Sequence, residues 1–432
     1  METLRLGLAG FGTVGSGLAK ILQENREVIL ARTGREIGIK TILVRDLNKK
    51  RAFTTGSETR YTNNPDDLVN DPEIDVVVEL MGGVDAAKSL ITRALSAGKH
   101  VVTANKHLLA LHGPELSELA AAQGLGLFYE AAVAGGIPIV QTLRESLGAN
   151  RITRLTGIMN GTANYILSEM TTNHLDFATA LKQAQDLGYA EADPTLDIEG
   201  FDTAHKLVVL IRLAYGRDYP LDMLPVRGIT QVTGQDIEFA REFGYRIKLL
   251  AQAREVDGKI EASVQPTLVN HKFLMARVGG NYNAVRVEGN AVGPIMLHGQ
   301  GAGDLPTGSA VMADIMALCR GLASPCKTFD NTGFGNKPLP RADILPPESG
   351  VAMHYFRFTV ADRPGVMASI AKTMSEHDIS IAQAVQKGDI SGSDVPIVFL
   401  THNARSSAVA EIIRSIDALS FAVRPTVHFP IL

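Results

Sequence analysis

Cysteine is scarce in this chain of 432 residues: only Cys319 and Cys326. Two thiols cannot build a disulfide framework or a structural zinc site, so they read as reduced thiols of a cytoplasmic protein. No apolar run approaches the ~18 residues of a membrane span; residues 207–211 are followed at once by Arg212. The opening METLRLGLAG lacks the basic stretch and cleavage site of a signal peptide. Charge of one sign is not in surplus either. Lys+Arg number 42 and Asp+Glu 46, a formal net charge of -4, which argues against a nucleic-acid or membrane-surface partner. No internal repeat is present. What remains is 45% hydrophobic and 20% charged, enough apolar material to bury a core and exclude disorder. The length suggests two or three domains. The 41 glycines cluster in short motifs, which points to backbone turns.

The first third alternates between strand and helix patterns. Strands are predicted at 4–9, 37–44, 74–80, 100–103 and 125–130, and helices at 17–30, 65–69, 85–97 and 114–123. Such alternation gives an α/β fold, a Rossmann-type parallel sheet covered by helices. From about residue 150 the pattern becomes α+β, with strands at 151–157 and 259–267 and helices at 162–172, 177–187, 201–215 and 235–243. Near residue 301 a glycine-rich turn opens another helix. Residues 331–350 are rich in Pro, Gly and Asn and read as a linker. Beyond them, strand, helix, strand, strand, helix and strand follow in order, a ferredoxin-like βαββαβ module. The expected domains are 1–149, 150–330 and 351–432.

Gly10-Phe11-Gly12-Thr13-Val14-Gly15 is a G-x-G-x-x-G that follows an apolar strand and opens a helix, the context in which it marks a dinucleotide site. Gly10 permits the tight turn, Gly12 lets backbone approach a pyrophosphate, and Gly15 lets helix pack on strand. At the tip of the second strand, Arg45 suits a 2′-phosphate, with Lys49, Lys50 and Arg51 close by. Asp46 suits a ribose 2′-hydroxyl instead. The basic residues favour NADP, and Asp46 leaves NAD open.

Hydride transfer at a carbon bearing oxygen needs a group to give or take the hydroxyl proton. No tyrosine has lysine four residues on, and no His/Cys/Glu cluster offers a catalytic zinc. Lysine and carboxylate remain. They concentrate in GYAEADPTLD and GFDTAHK (188–206). Asp202 and Lys206 stand four apart on one face of a predicted helix that continues into apolar residues, where a lysine can shuttle protons near neutrality. By default such a spacing is an ordinary surface ion pair. Lys106 follows a buried strand at the carboxyl edge of the sheet, where ligands bind. Glu79 ends another such strand and reads as a helix-start residue. The two ammonium groups would come from different domains.

GFGTVG (10–15), VVELMGG (77–83), VVTANK (101–106), NGTANYI (160–166) and the 188–206 segment together resemble homoserine dehydrogenase, from the N-terminus to about residue 320. The resemblance implies reversible oxidation of L-homoserine to L-aspartate 4-semialdehyde with NAD(P). It makes Lys206 the acid/base lysine, Asp202 its partner and Lys106 a second active-site lysine near substrate and nicotinamide. Thr103 and Gly303 become cofactor contacts, with a helix at about 301–320 returning to the nucleotide domain. Glu191 would hold the substrate ammonium, with Thr162, Tyr189 and Asp197 beside it. The segment 129–138 resembles the family's monovalent cation site, taken to bind sodium, with Glu130 giving a side-chain oxygen and Val133, Gly135 and Ile137 backbone carbonyls. The C-terminal module resembles an ACT domain. Asp362 and Gly365 lie at its first strand-to-helix turn, implying feedback by an amino acid, taken as L-threonine, and a homo-oligomer, dimer or tetramer. Other readings are a different NAD(P) oxidoreductase with an ACT tail, or a nucleotide sensor without catalysis.

Overall fold

A computed structural model describes residues 3–51, 53–56, 58–325, 328–387 and 394–432. Cys326 lies outside the described residues. The chain gathers into two compact units, each assembled from separated segments. The first comprises Met1–Met159, Asp202–Leu224 and Tyr282–Ala342; the second comprises Asn160–Phe201, Pro225–Asn281 and Asp343–Leu432.

In the first unit, β1 (Thr3–Ala9), β2 (Glu36–Leu43), β3 (Arg60–Thr62), β4 (Val76–Glu79), β5 (His100–Thr103) and β6 (Leu127–Phe128) form one sheet. Every pairing is parallel and the order is β3-β2-β1-β4-β5-β6. Connections reverse direction between β1 and β4, so a crevice opens at the carboxyl ends of those strands. Val76, Val77 and Val78 are fully buried, because helices cover both faces; that is why the strand reads as a continuous apolar run. Leu4, Leu6 and Leu8 of β1 pack with Leu18, Val311, Ile315 and Leu318 in the same core. The last three belong to the helix Asp304–Ala323, which lies on the helix Thr13–Glu24. Gly17 and Gly308 allow the close approach: a Cβ on Gly17 would stand 2.2 Å from the Asp304 carbonyl oxygen, and one on Gly308 2.8 Å from the Leu18 nitrogen. The strands Ile152–Ile158, Tyr282–Gly289 and Gly293–Gln300 add an antiparallel sheet to this unit.

Two helices differ from the sequence reading. The segment read as one helix over 17–30 is two, Thr13–Glu24 and Arg26–Thr33, and the first starts inside the glycine motif. The helix expected to start at Pro114 runs from Lys106 to Ala122. Asn105 caps it, its Oδ1 accepting from the Leu108 N–H at 3.1 Å, while Pro114 sits inside and leaves the Ala110 carbonyl without its helical donor. Arg212 supplies that donor, with Nη2 at 2.8 Å.

In the second unit, Tyr245–Val256 and Lys259–Asn270 form a long antiparallel hairpin. The C-terminal module has the strands Val351–Ala361, Ile381–Gln386, Asp394–Thr401 and Ala422–Ile431 and the helices Val366–Glu376 and Ser406–Asp417. Its strands lie in the order fourth, first, third, second, the ferredoxin-like arrangement read from the sequence. Phe356, Phe358, Ile370, Met374, Phe399, Ile412 and Ile416 fill its core. A buried bidentate ion pair, Arg357 Nε to Asp236 Oδ1 at 2.6 Å and Nη2 to Oδ2 at 3.1 Å, ties the module's first strand to the helix Gly234–Glu242. Bidentate geometry is what allows such charges to be buried together.

Candidate active site

The glycine motif follows β1 at the sheet's reversal point. Gly10 has φ +103°, and a Cβ there would stand 2.6 Å from the Leu80 carbonyl oxygen. A Cβ on Gly15 would stand 2.6 Å from the Gly10 carbonyl oxygen, whereas nothing lies within 4 Å of one on Gly12. Gly10 and Gly15 are thus required by the protein itself, and Gly12 keeps an opening clear. No side chain caps the Thr13–Glu24 helix, so its first N–H groups face that opening, as a pyrophosphate requires. These residues fit a dinucleotide. Phe11 is buried, while Gly12 and Thr13 are exposed. Arg45 and Asp46 are exposed beyond β2, and the Asp46 carboxylate accepts from the Asn48 N–H at 2.8 Å. Gly303, at φ +129°, starts the helix Asp304–Ala323.

At the carboxyl ends of β4 and β5, Glu79 is fully buried. One of its oxygens accepts from the Met81 N–H at 2.8 Å and the other from the Thr103 hydroxyl at 2.6 Å. It braces the two strand ends against each other, and the sequence reading of Glu79 as a helix-start residue is corrected. The Thr103 hydroxyl, in turn, accepts from the Asn105 N–H at 3.1 Å. This chain of bonds fixes where the helix carrying Lys106 begins.

Lys106 and Lys206 converge on one carboxylate. Lys206 Nζ donates to Asp202 Oδ2 at 2.7 Å and to the Met159 carbonyl at 2.6 Å. Lys106 Nζ lies 3.1 Å from Asp202 Oδ1. The side chains of Asp202 and Lys206 are 8% and 10% exposed and that of Lys106 is 42% exposed, so the pair is anchored inside and reached by a lysine open to solvent. Both lysines belong to the first compact unit, not to two different domains. The neighbouring imidazoles of His107 and His205 stack, centroids 4.3 Å apart and 12° from parallel. Burial, with His107 and the two lysines, pushes the His205 pKa down to about 4, which keeps that ring neutral at pH 7. An ammonium held by a carboxylate and a carbonyl beside a second ammonium can give a proton, and its neutral amine can take one, while the second screens developing charge.

The residues read as substrate contacts lie in the second unit. Asn160 caps the helix Gly161–Thr172 through Oδ1, and its Nδ2 donates to Asp197 Oδ1 at 2.6 Å. The Thr162 hydroxyl donates to the Tyr189 carbonyl at 2.6 Å. Glu191 and Tyr189 are exposed. Within this unit Thr162, Tyr189 and Asp197 are therefore brought together around one loop, with Glu191 following Tyr189 along it.

Glu130 is buried. Its oxygens accept from the N–H groups of Val140 at 2.9 Å and Gln141 at 2.7 Å, and its own N–H donates to Asp314 Oδ2 at 2.8 Å. Burial raises the pKa of Glu130; burial and the Glu130 charge raise that of Asp314 well above the carboxylate range. Val133 and Ile137 are buried nearby in sequence, and Gly135 has φ +53°. Each carboxylate oxygen has further lone-pair capacity, and a loop of carbonyls with one carboxylate is a hard-oxygen donor set. Gly365, at φ +89°, starts the helix Val366–Glu376 after exposed Asp362.

Sequence reasoning missed the Met159 carbonyl, the His107–His205 stack and Asp314. Asp314 had a signal: an acid inside an apolar helix is rarely buried without a purpose. The first two carried none, because they depend on segments distant in the chain.

Three family profiles match: homoserine dehydrogenase over residues 138–316, its NAD-binding domain over 10–130, and the ACT domain over 354–420. A homoserine dehydrogenase of Neisseria gonorrhoeae is 42% identical over 426 residues, 98% of either chain. One of Pseudomonas aeruginosa is 42% identical over 430 residues, 99% of this chain and 98% of that one. Among solved structures, a homoserine dehydrogenase from Thiobacillus denitrificans superposes with TM-score 0.95 at 45% identity, covering 100% of this chain and 98% of that one. A hyperthermophilic archaeal homoserine dehydrogenase in complex with NADPH gives 0.62 at 28%, covering 75% and 99%.

Proposed function

The chain belongs to the homoserine dehydrogenase family and carries an ACT domain, and on that premise we propose how its own residues perform the reaction. It is an oxidoreductase that interconverts L-homoserine and L-aspartate 4-semialdehyde, and NADP is the preferred cofactor. Exposed Arg45 meets the 2′-phosphate, while Asp46 is occupied with the Asn48 N–H. Gly10 to Gly15, Thr103 and Gly303 line the dinucleotide. When bound, the nicotinamide accepts or gives the hydride.

The observation that carries the reading is the Asp202 carboxylate with Lys206 on one oxygen and Lys106 on the other. Lys206 as its neutral amine takes the hydroxyl proton on oxidation, and as the ammonium returns it on reduction. Asp202 and the Met159 carbonyl aim its ammonium. Lys106, on the exposed side, screens the developing charge. Glu191, Thr162, Tyr189 and Asp197 hold the amino-acid end of the substrate. Glu130, Val133, Gly135 and Ile137 hold a monovalent cation, taken as sodium, which offsets the charge of the buried Glu130–Asp314 pair.

The ACT domain binds L-threonine at the turn Asp362–Gly365 and lowers activity. The strand Ile381–Gln386 ends the module's sheet with mostly exposed side chains, an edge that a second copy can cover, so the protein works as a homo-oligomer. Nicotinamide absorbance with L-homoserine, run with each cofactor and with threonine added, tests the reaction, the cofactor preference and the threonine response. Faster reduction of NADP than of NAD, slowed by threonine, is expected. No absorbance change with either cofactor would overturn the reading.

A further inference from the structure

We propose that Arg212 is a positioning residue for the two lysines, clamping the helix that carries Lys206 to a proline break in the helix that Lys106 begins. This rests on the roles given above to Lys106 and Lys206. Arg212 lies six positions after Lys206 on the helix Phe201–Tyr215. Its Nη1 donates to the Leu109 carbonyl and its Nη2 to the Ala110 carbonyl, while Nε donates to Asp218 Oδ1 at 2.8 Å.

Both partners are prepared for it. Pro114 has no N–H, so the Ala110 carbonyl has no donor from its own helix. A planar guanidinium offers parallel N–H groups that a lysine does not. Residue 113 is glycine, and a Cβ there would stand 2.9 Å from Arg212 Nη1. Beside the clamp lies a cavity lined by Leu109, Gly113 and Pro114 from one helix and Val209, Arg212 and Leu213 from the other.

The contacts between the helices run in one direction. Lys106 reaches Asp202, His107 stacks on His205, and Leu109 with Ala110 receives Arg212. The lysines stand at one end of this ladder and the arginine at the other. Loosening the clamp therefore changes how Lys106 and the Asp202–Lys206 pair meet without touching the glycine motif.

The test compares the full chain with Arg212→Met, Arg212→Lys, Pro114→Ala and the double variant Pro114→Ala/Arg212→Met, measuring kcat, cofactor Kd and thermal midpoint. A misplaced catalytic group costs turnover rather than binding, so Arg212→Met is expected to lower kcat at least about tenfold with cofactor Kd within about twofold. Arg212→Lys should recover part of kcat. In the double variant residue 114 regains an N–H for the Ala110 carbonyl, so the thermal midpoint should recover while kcat stays low. Recovery of kcat along with the midpoint would overturn the proposal, since Arg212 would then only satisfy a carbonyl. So would a kcat for Arg212→Met within about twofold of the parent. Lys206→Ala, run in parallel, separates the two readings: if it abolishes turnover while Arg212→Met does not, the clamp alone is wrong. If Lys206→Ala keeps full turnover, the lysine reading fails first and the clamp fails with it.

Discussion

Replacing Asp202 with asparagine keeps the shape of the side chain and removes the charge that two ammonium groups share. The structure divides the consequences. Lys206 and Asp202 have side chains 10% and 8% exposed, so the substitution strands a buried ammonium. Breaking a buried pair by removing one partner costs about 3–5 kcal/mol. Lys106 is 42% exposed, and water screens it, so its share adds no more than about 1 kcal/mol. The expected loss is thus about 3–5 kcal/mol, nearly all from Lys206. Pairing Asp202→Asn with Lys206→Met removes the stranded charge, and most of the stability should return. A double-mutant cycle should then give a coupling of roughly 2 kcal/mol or more. The chain has no tryptophan, so urea unfolding is best followed by far-ultraviolet circular dichroism. Turnover of both variants should be low, because the proton carrier is misaimed in one and missing in the other. If Asp202→Asn stays within about 0.5 kcal/mol of the parent and the cycle shows no coupling, the buried pair does not exist as described.

Other expectations follow from single observations. Gly12→Val meets nothing within 4 Å of its Cβ, so the thermal midpoint should hold while cofactor binding, read by calorimetry, is lost; retained binding would contradict the phosphate site. Burial pushes the His354 pKa down to about 4 from 6.5. Between those values the unfolded chain binds the proton better, so His354 by itself should contribute about 3 kcal/mol to the fall in stability as pH drops from 6.5 to 4, beside His100, His205 and His428, whose pKa values are also lowered. His354→Gln should make that slope shallower in unfolding midpoints measured at pH 7 and pH 5, leaving the share of the other three histidines. Gly365→Ala, at φ +89°, should cost about 1 kcal/mol and raise the threonine concentration needed for half-inhibition. An unchanged threonine response would move the effector elsewhere.

Much of the nucleotide unit was legible because its signals are local. Gly10 and Gly15 are glycines for contacts made within a few residues or with the adjoining strand, and the Lys206–Asp202 pair needs only helical spacing. Pro114 misled for a physical reason: proline marks helix starts, and here it is tolerated inside a helix because Arg212, 98 positions later, serves the orphaned carbonyl. The three-residue β3 is too short to carry a pattern. Glu79 looked like a helix-start acid, and only the register of β4 beside β5 brings it to Thr103. Likewise Glu130 by sequence alone reads as an N-cap or salt-bridge residue, and its burial beside Asp314 depends on a helix nearly two hundred residues away. What the sequence left out is long-range hydrogen bonding, which has no periodicity to betray it.

The most direct test of the proton-carrying role of Lys206 is turnover of L-homoserine by Lys206→Ala, with cofactor affinity measured on the same sample. Unchanged cofactor binding with turnover lowered by about two to four orders of magnitude is expected. Near-normal turnover with cofactor bound would contradict the account.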